Sequence, residues 1–160
     1  MSKSLKRVAA ALDALGMARE IVEVGQARTA AEAAASLGCE VAQIANSIIL
    51  LGQASGRVSL FLTSGAERVD IARASTVAGE PLGKADAAVI RAQTGFAIGG
   101  VAPLGHLERP TAWIDRSLTR FDQNYAAAGT PRHLFSLSPT ELQQISGGQI
   151  ADFIEISRDM

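Results

Sequence analysis

The segment Thr94–His106 reads T-G-F-A-I-G-G-V-A-P-L-G-H and holds four of the chain's fifteen glycines. Glycine admits positive φ and lets a backbone come close to a ligand. The pair Gly99-Gly100, followed by Pro103, can hold main-chain N–H groups aimed at one spot. Such donors suit a carbonyl oxygen that becomes negative during attack. The same residues also suit a tight corner or bulge with no chemistry, and spacing alone leaves both open.

Asn46-Ser47 is the second candidate. It is expected just before an apolar strand at 48–51, where a strand end beside a pocket usually carries polar contacts. Asn offers a donor and an acceptor, Ser a hydroxyl. A capping or turn pair is the alternative. Ser47 as a hydrolase nucleophile would need a nucleophile elbow and a positioned base, and neither is evident. Asp115 closes a strand, either fixing a turn with Ser117 and Thr119 or orienting the glycine loop. His106 adjoins that loop and could be a base, although a partly exposed polar residue fits as well; His133, after Pro131, has less to recommend it. Lys84 and Arg91 stand seven apart on one expected helix, two turns and so one face, where a phosphate contact competes with a merely solvated surface. The lone Cys39 excludes an internal disulfide and reads as a small buried residue rather than a nucleophile. With two histidines beside it, no protein-supplied metal cage is expected.

The elements that must position these groups alternate along the chain. Leu5, Val8, Leu12 and Leu15 give an amphipathic helix over 4–15, with Ser4 as its cap and Gly16 as its stop. Residues 20–24 alternate as a strand. Thr29 and Glu32 open a helix that Gly38 ends, and 41–45 form a short turn. The runs 48–51 and 58–62 make a hairpin. Helices follow at 69–78 and 84–94. Strand 96–98 enters the glycine loop, TAWI (111–114) is another strand, 121–128 is part strand and part helix, and 134–137 is a strand. Ser138-Pro-Thr-Glu141 caps a helix ending near Gly147, and 150–156 is extended. Interspersed elements with hairpin connections indicate an α+β fold with a mixed, mostly antiparallel sheet. No Gly-x-Gly-x-x-Gly follows a first strand and no phosphate loop exists, which disfavours a dinucleotide fold.

At 160 residues with 48% hydrophobic and 19% charged residues, the chain reads as one domain, 1–160, with a substantial core and no disorder. Fifteen basic and sixteen acidic residues leave a net charge of −1. That excludes nucleic-acid capture by bulk electrostatics, so contact with a polynucleotide must be local or assisted by a partner protein. No signal peptide and no run of about 20 apolar residues is read, so cytoplasmic location without membrane contact is expected.

Five blocks together resemble the YbaK/ProX-like aminoacyl-tRNA deacylases, whose domain also occurs inserted in bacterial prolyl-tRNA synthetases. They are V-A-Q-I-A-N-S-I-I-L at 41–50, G-K-A-D-A-A-V-I-R at 83–91, T-G-F-A-I-G-G-V-A-P-L-G at 94–105, W-I-D-R-S-L at 113–118 and A-A-A-G-T-P-R-H-L-F-S-L-S-P-T-E-L at 126–142. The resemblance covers essentially the whole chain, and the glycine block is its most specific part. It implies a barrel-like mixed sheet flanked by helices and a pocket lined by 94–105. It implies hydrolysis of the ester joining a wrong amino acid to the 3′ end of tRNA, a second sieve where one methylene is worth only about 1–3 kcal/mol. The family's motif falls on Gly99, Gly100 and Pro103, whose amides would polarise the carbonyl, with water as nucleophile positioned by a terminal ribose hydroxyl. On this reading Gly99, Gly100 and Asn46 are catalytic, and Ser47, Pro103, Thr94, Lys84 and Asp115 bind substrate. No metal or cofactor is needed. The resemblance implies an aminoacyl-tRNA acceptor end as partner, with a synthetase as a further candidate, and no DNA.

One departure stands out. Many such proteins carry a lysine before the hydroxyl residue, where this chain has Asn46. Loss of that charge implies that Asn46 recognises a different group, that Lys84 or Arg91 substitutes, or that the fold serves as a non-catalytic module binding an amino acid or nucleotide. A general esterase built on His106 is the remaining reading.

Overall fold

A computed structural model describes residues 2–25 and 27–156. Helix α1 spans Lys3–Ala14 and buries Leu5, Val8 and Leu12, the stripe its periodicity sets. Its cap is Ser2 rather than Ser4: the Ser2 hydroxyl accepts from Leu5 N–H. Strand β1 (Ile21–Glu23) precedes helix α2 (Ala30–Leu37), which Thr29 caps and Gly38 ends at φ 72°. A short 3-10 turn at Val41–Gln43 leads into the next strand.

The hairpin forms, but its strands are longer than their apolar cores suggest. Strand β2 runs Ile44–Gly52 and β3 runs Val58–Ser64, paired without a bulge from Ala45↔Ser64 to Leu51↔Val58. Asn46 and Ser47 are therefore inside a strand, not ahead of one. Helix α3 (Ile71–Ala78) follows, capped by Asp70. The expected helix at 84–94 divides into strand β4 (Leu82–Lys84) and helix α4 (Ala87–Thr94), because Asp86 accepts from Val89 N–H and starts a new helix there. Lys84 and Arg91 thus share no helix face. Residues 96–98 form no strand; they are loop. Strand β5 (Thr111–Asp115), a 3-10 turn (Arg116–Arg120), β6 (Asn124–Ala127), β7 (His133–Leu137), helix α5 (Pro139–Ser146) and β8 (Gln149–Ala151) complete the order. Helix α5 carries the reciprocal capping box of Ser138 and Glu141.

The strands form one mixed sheet in the order β1-β7-β6-β2-β3-β5-β8, with β4 also paired to β2. Four pairings are antiparallel, and β2–β6, β3–β5 and β5–β8 are parallel. The main core joins α1, α4 and α5 to one side of the sheet through residues such as Val8, Ile90, Leu62, Ile114 and Phe135. On the other side Phe61 stacks on Trp113 at 5.1 Å and meets the edge of Phe153 at 4.9 Å. Each such buried side chain contributes roughly 1.5–3 kcal/mol of apolar transfer.

This packing leaves an opening beside β2. Along the edge of β2 opposite β3, β6 pairs only with Ile44 and Ala45, and β4 only with Leu50–Gly52. Between them, residues 46–49 have no strand partner on that edge. Among the described residues no helix is long and apolar enough to cross a membrane.

Candidate active site

A cleft of about 830 Å³ lies at this split in the sheet. Its lining includes Asn46–Ile49 of β2, residues 27–30 at the start of α2, Ile98 and Gly99 of the glycine loop, and the Pro131–Arg132 turn. The bonding parity of β2 decides what its edge presents. Gly52 N–H donates to Arg57 O at 2.9 Å, and Ile44 O accepts from Gly65 N–H at 2.8 Å, both on the β3 side. With no bulge between, even-numbered residues bond β3 and odd-numbered ones face away. The N–H and C=O groups of Ser47 and Ile49 therefore point into the cleft.

Side chains alternate the other way. Ser47 and Ile49 share the face of the main core, where Ala85, Ile90 and Val101 make the cleft interior apolar. The Ser47 hydroxyl is buried there with no hydrogen-bond partner. Asn46 and Ile48 lie on the opposite face, where they also line a second cavity of about 280 Å³ with Thr63 and residues 67–69 and 71.

The glycine loop has a fixed shape. Gly100 N–H donates to Ala97 O at 3.0 Å, closing a turn with Gly99 at φ 88°. That is the positive φ a type II turn demands at its third residue. Ile98 and Gly99 face the cleft, and Ile98 is 60% exposed. Behind the turn, Val101, Ala102 and Leu104 are buried, and Phe96 is fully so. Gly100 packs against another backbone: a Cβ there would stand 2.8 Å from Thr130 Cα. That facing turn is itself tied, since Thr130 Oγ1 accepts from Arg132 N–H and lies 2.6 Å from His133 Nδ1.

The residues singled out in the sequence divide into two sets. Asn46, Ser47, Gly99 and Lys84 meet at the cleft. Gly100, Pro103, Thr94, Asp115 and Arg91 are not in its lining. Gly100 holds the turn with its N–H already engaged. Thr94 is buried, donating to Ile90 O at 2.7 Å and accepting from Phe96 N–H at 3.1 Å, so it shapes the entry to the loop. Asp115 is 2% exposed and accepts from Ser64 N–H and Ser117 N–H, which is a turn-fixing role. His106 also lies away from the cleft lining, with its ring edge on Phe96 at 5.4 Å. Burial pushes its pKa down to about 4, outweighing a hydrogen bond to the Ala102 backbone. It is neutral near pH 7, and the esterase reading finds no geometry. Cys39 packs with the cluster around α2, where burial raises its thiol pKa. Among the described residues no cluster of three or more His, Cys, Asp or Glu could hold a metal.

Arg28 and Arg132 also line the cleft, and sequence reasoning missed both. They are 104 positions apart and share no motif. Only the pairing of β1 with β7 brings their neighbourhoods together, as Val24 N–H bonding Arg132 O shows.

Comparison with known proteins bears on this geometry. The aminoacyl-tRNA editing domain family profile matches residues 24–145. A crystal structure of a candidate trans-editing enzyme for prolyl-tRNA synthetase superposes with a TM-score of 0.91 at 42% identity, covering 98% of this chain and 99% of that one. The hypothetical protein APE2540 superposes with a TM-score of 0.84 at 31% identity, over 93% of this chain and 99% of that one. The uncharacterized protein YwhH of Bacillus subtilis (strain 168) is 36% identical over 67 residues, which is 42% of this chain and 41% of YwhH. The match thus spans about two fifths of that curated relative.

Proposed function

The chain belongs to the aminoacyl-tRNA editing domain family, and on that premise we propose that its cleft hydrolyses the ester of a mischarged tRNA, releasing the wrong amino acid and leaving a free ribose hydroxyl. The observation that carries the reading is the cleft itself, where the Gly99 turn and the open edge of β2 share one apolar lining.

The parts take complementary roles. The Gly99 N–H, in the central peptide of the turn and with no backbone partner, donates to the carbonyl oxygen of the ester. Positioned donors of this kind act on charge that develops during attack. Gly100 and Pro103 hold the loop in place. The outward C=O groups of Ser47 and Ile49 accept from the substrate's α-ammonium group, and the Ser47 hydroxyl binds the amino-acid end. Asn46 reads the ribose side with a neutral donor and acceptor. Water attacks the carbonyl carbon, and the bond to the ribose oxygen breaks as that oxygen takes a proton. A terminal ribose hydroxyl positions the water, so the protein supplies no nucleophile and no general base. His106, neutral and remote, has no part in the step.

The neutral Asn46, where the family resemblance implies a lysine, favours a second reading: the same cleft as a non-catalytic module for an amino acid or nucleotide. Incubating the protein with a panel of mischarged tRNAs separates the two. A shortened ester lifetime for at least one aminoacyl group, lost in Gly100→Ala, supports the deacylase. Unchanged lifetimes throughout leave the binding module.

A further inference from the structure

Three cations reach the cleft from separate elements: Arg28 ahead of α2, Lys84 at the end of β4, and Arg132 in the turn between β6 and β7. Among the described residues no aspartate or glutamate lines it. The chain as a whole has a net charge of −1, so positive charge is gathered here against its average. All three side chains are exposed. Among the described residues the ion pairs are Arg19–Glu141 and Arg116–Asp152, and none of the three takes part. The nearby Glu32 carboxylate faces the Arg28 N–H and the Thr29 hydroxyl, within the cap of α2.

The backbones beneath these charges are fixed. Arg28 adjoins the cap of α2. Lys84 is paired to Leu50. Arg132 donates its N–H to Thr130 Oγ1, and its carbonyl accepts from Val24 N–H. Three cations on anchored backbones around a cleft lined by no described acid suit a ligand with several negative charges in sequence. Consecutive phosphodiesters offer that pattern, whereas an amino acid or a single carboxylate offers one charge.

We propose that Arg28, Lys84 and Arg132 form a phosphate frame for the last phosphodiesters of a single-stranded RNA 3′ end. In this chain the frame does the work for which Asn46 lacks a charge. It rests on the deacylase reading for the identity of the RNA, but not for its test. The frame explains how a protein of nearly neutral charge gains local purchase on a polyanion.

The experiment is binding of a fluorescein-labelled, deacylated single-stranded RNA ending in CCA, followed by anisotropy across a salt series. Three phosphate contacts on a single strand give a slope of log affinity on log salt of about −2, a loss of roughly twentyfold between about 50 and 200 mM salt. Arg28→Gln, Lys84→Gln and Arg132→Gln each lower the magnitude of that slope by about 0.7. Arg120→Gln, an exposed arginine outside the cleft, leaves it unchanged. Since all three target side chains are exposed, the variants fold. A triple variant that keeps the wild-type affinity and slope overturns the proposal, as does a wild-type protein that shows no salt-dependent binding. Hydrolysis is not needed for this readout. Intact binding with no ester cleavage on any mischarged tRNA would sink the deacylase reading and leave the phosphate frame standing.

Discussion

An alanine at Gly100 would strike the loop from behind without changing any side chain that lines the cleft. Its Cβ would stand 2.8 Å from Thr130 Cα, 2.9 Å from Thr130 C and 3.1 Å from Pro131 N. These are backbone atoms, and the proline ring stiffens the last of them, so no rotamer change relieves the overlap. Carbon contacts settle near 3.5–4 Å, which forces the two turns apart by about half an ångström or more. Gly100 does not have positive φ, so the effect is displacement and not backbone strain. Displacement carries the Gly99 N–H away from the ester oxygen, and a misplacement of about 1 Å costs on the order of 100-fold in rate. The expected result is a fall in kcat of about 10- to 100-fold, with overpacking costing about 1–3 kcal/mol of stability. Gly99→Ala is the counterpart. Its Cβ has room, the nearest atom being Pro131 Cγ at 3.7 Å, but φ 88° burdens any other residue by about 1–2 kcal/mol. Single-turnover deacylation, with a thermal melt on each variant, separates lost geometry from lost fold. A folded Gly100→Ala protein with wild-type kcat refutes the reasoning.

Other expectations follow from the same structure. His106 has a folded pKa of about 4 against an ordinary value of 6.5, so the unfolded chain takes up its proton first as pH falls. Stability should drop between pH 6.5 and about 4, by up to roughly 3 kcal/mol, and urea midpoints should show that window flattened in His106→Gln. Ser47→Ala should raise KM by about tenfold, the scale of one hydrogen bond, with kcat within a few-fold and no loss of melting temperature; a collapse of kcat would make Ser47 the nucleophile. Asn46→Lys adds a cation on β2 inside the cleft and should improve binding about 10- to 100-fold with a gain of prolyl- or alanyl-tRNA cleavage; an active wild type unmoved by the change would deny this position any part in specificity.

The sequence was most informative where chemistry is local. Thr29, Ser138 and Gly38 mark helix ends because capping acts over three or four residues. The glycine pair marks a turn because only glycine takes φ 88° without strain. Reading failed where distant pairings decide. Lys84 follows apolar Leu82 and precedes a helix, so propensity merged it with α4; pairing with Leu50 makes it strand instead. Asn46 and Ser47 look like a boundary because they interrupt an apolar run, yet β3 pairs straight through them. Nothing in the letters reveals that β6 and β4 stop short of each other along β2, nor that Arg28 and Arg132 face one cleft. The double glycine followed by Pro103 was legible as a loop suited to main-chain chemistry.

That chemistry can be tested one atom at a time. Replacing Gly99 by glycolic acid through backbone ester substitution removes its N–H and leaves side chains, φ preference and the Gly100–Ala97 hydrogen bond in place. If the Gly99 amide polarises the scissile carbonyl, kcat on the responsive mischarged tRNA falls by about 100- to 1000-fold, as for other single oxyanion donors, with KM nearly constant. A protein bearing that ester and turning over at the wild-type rate would contradict the claim.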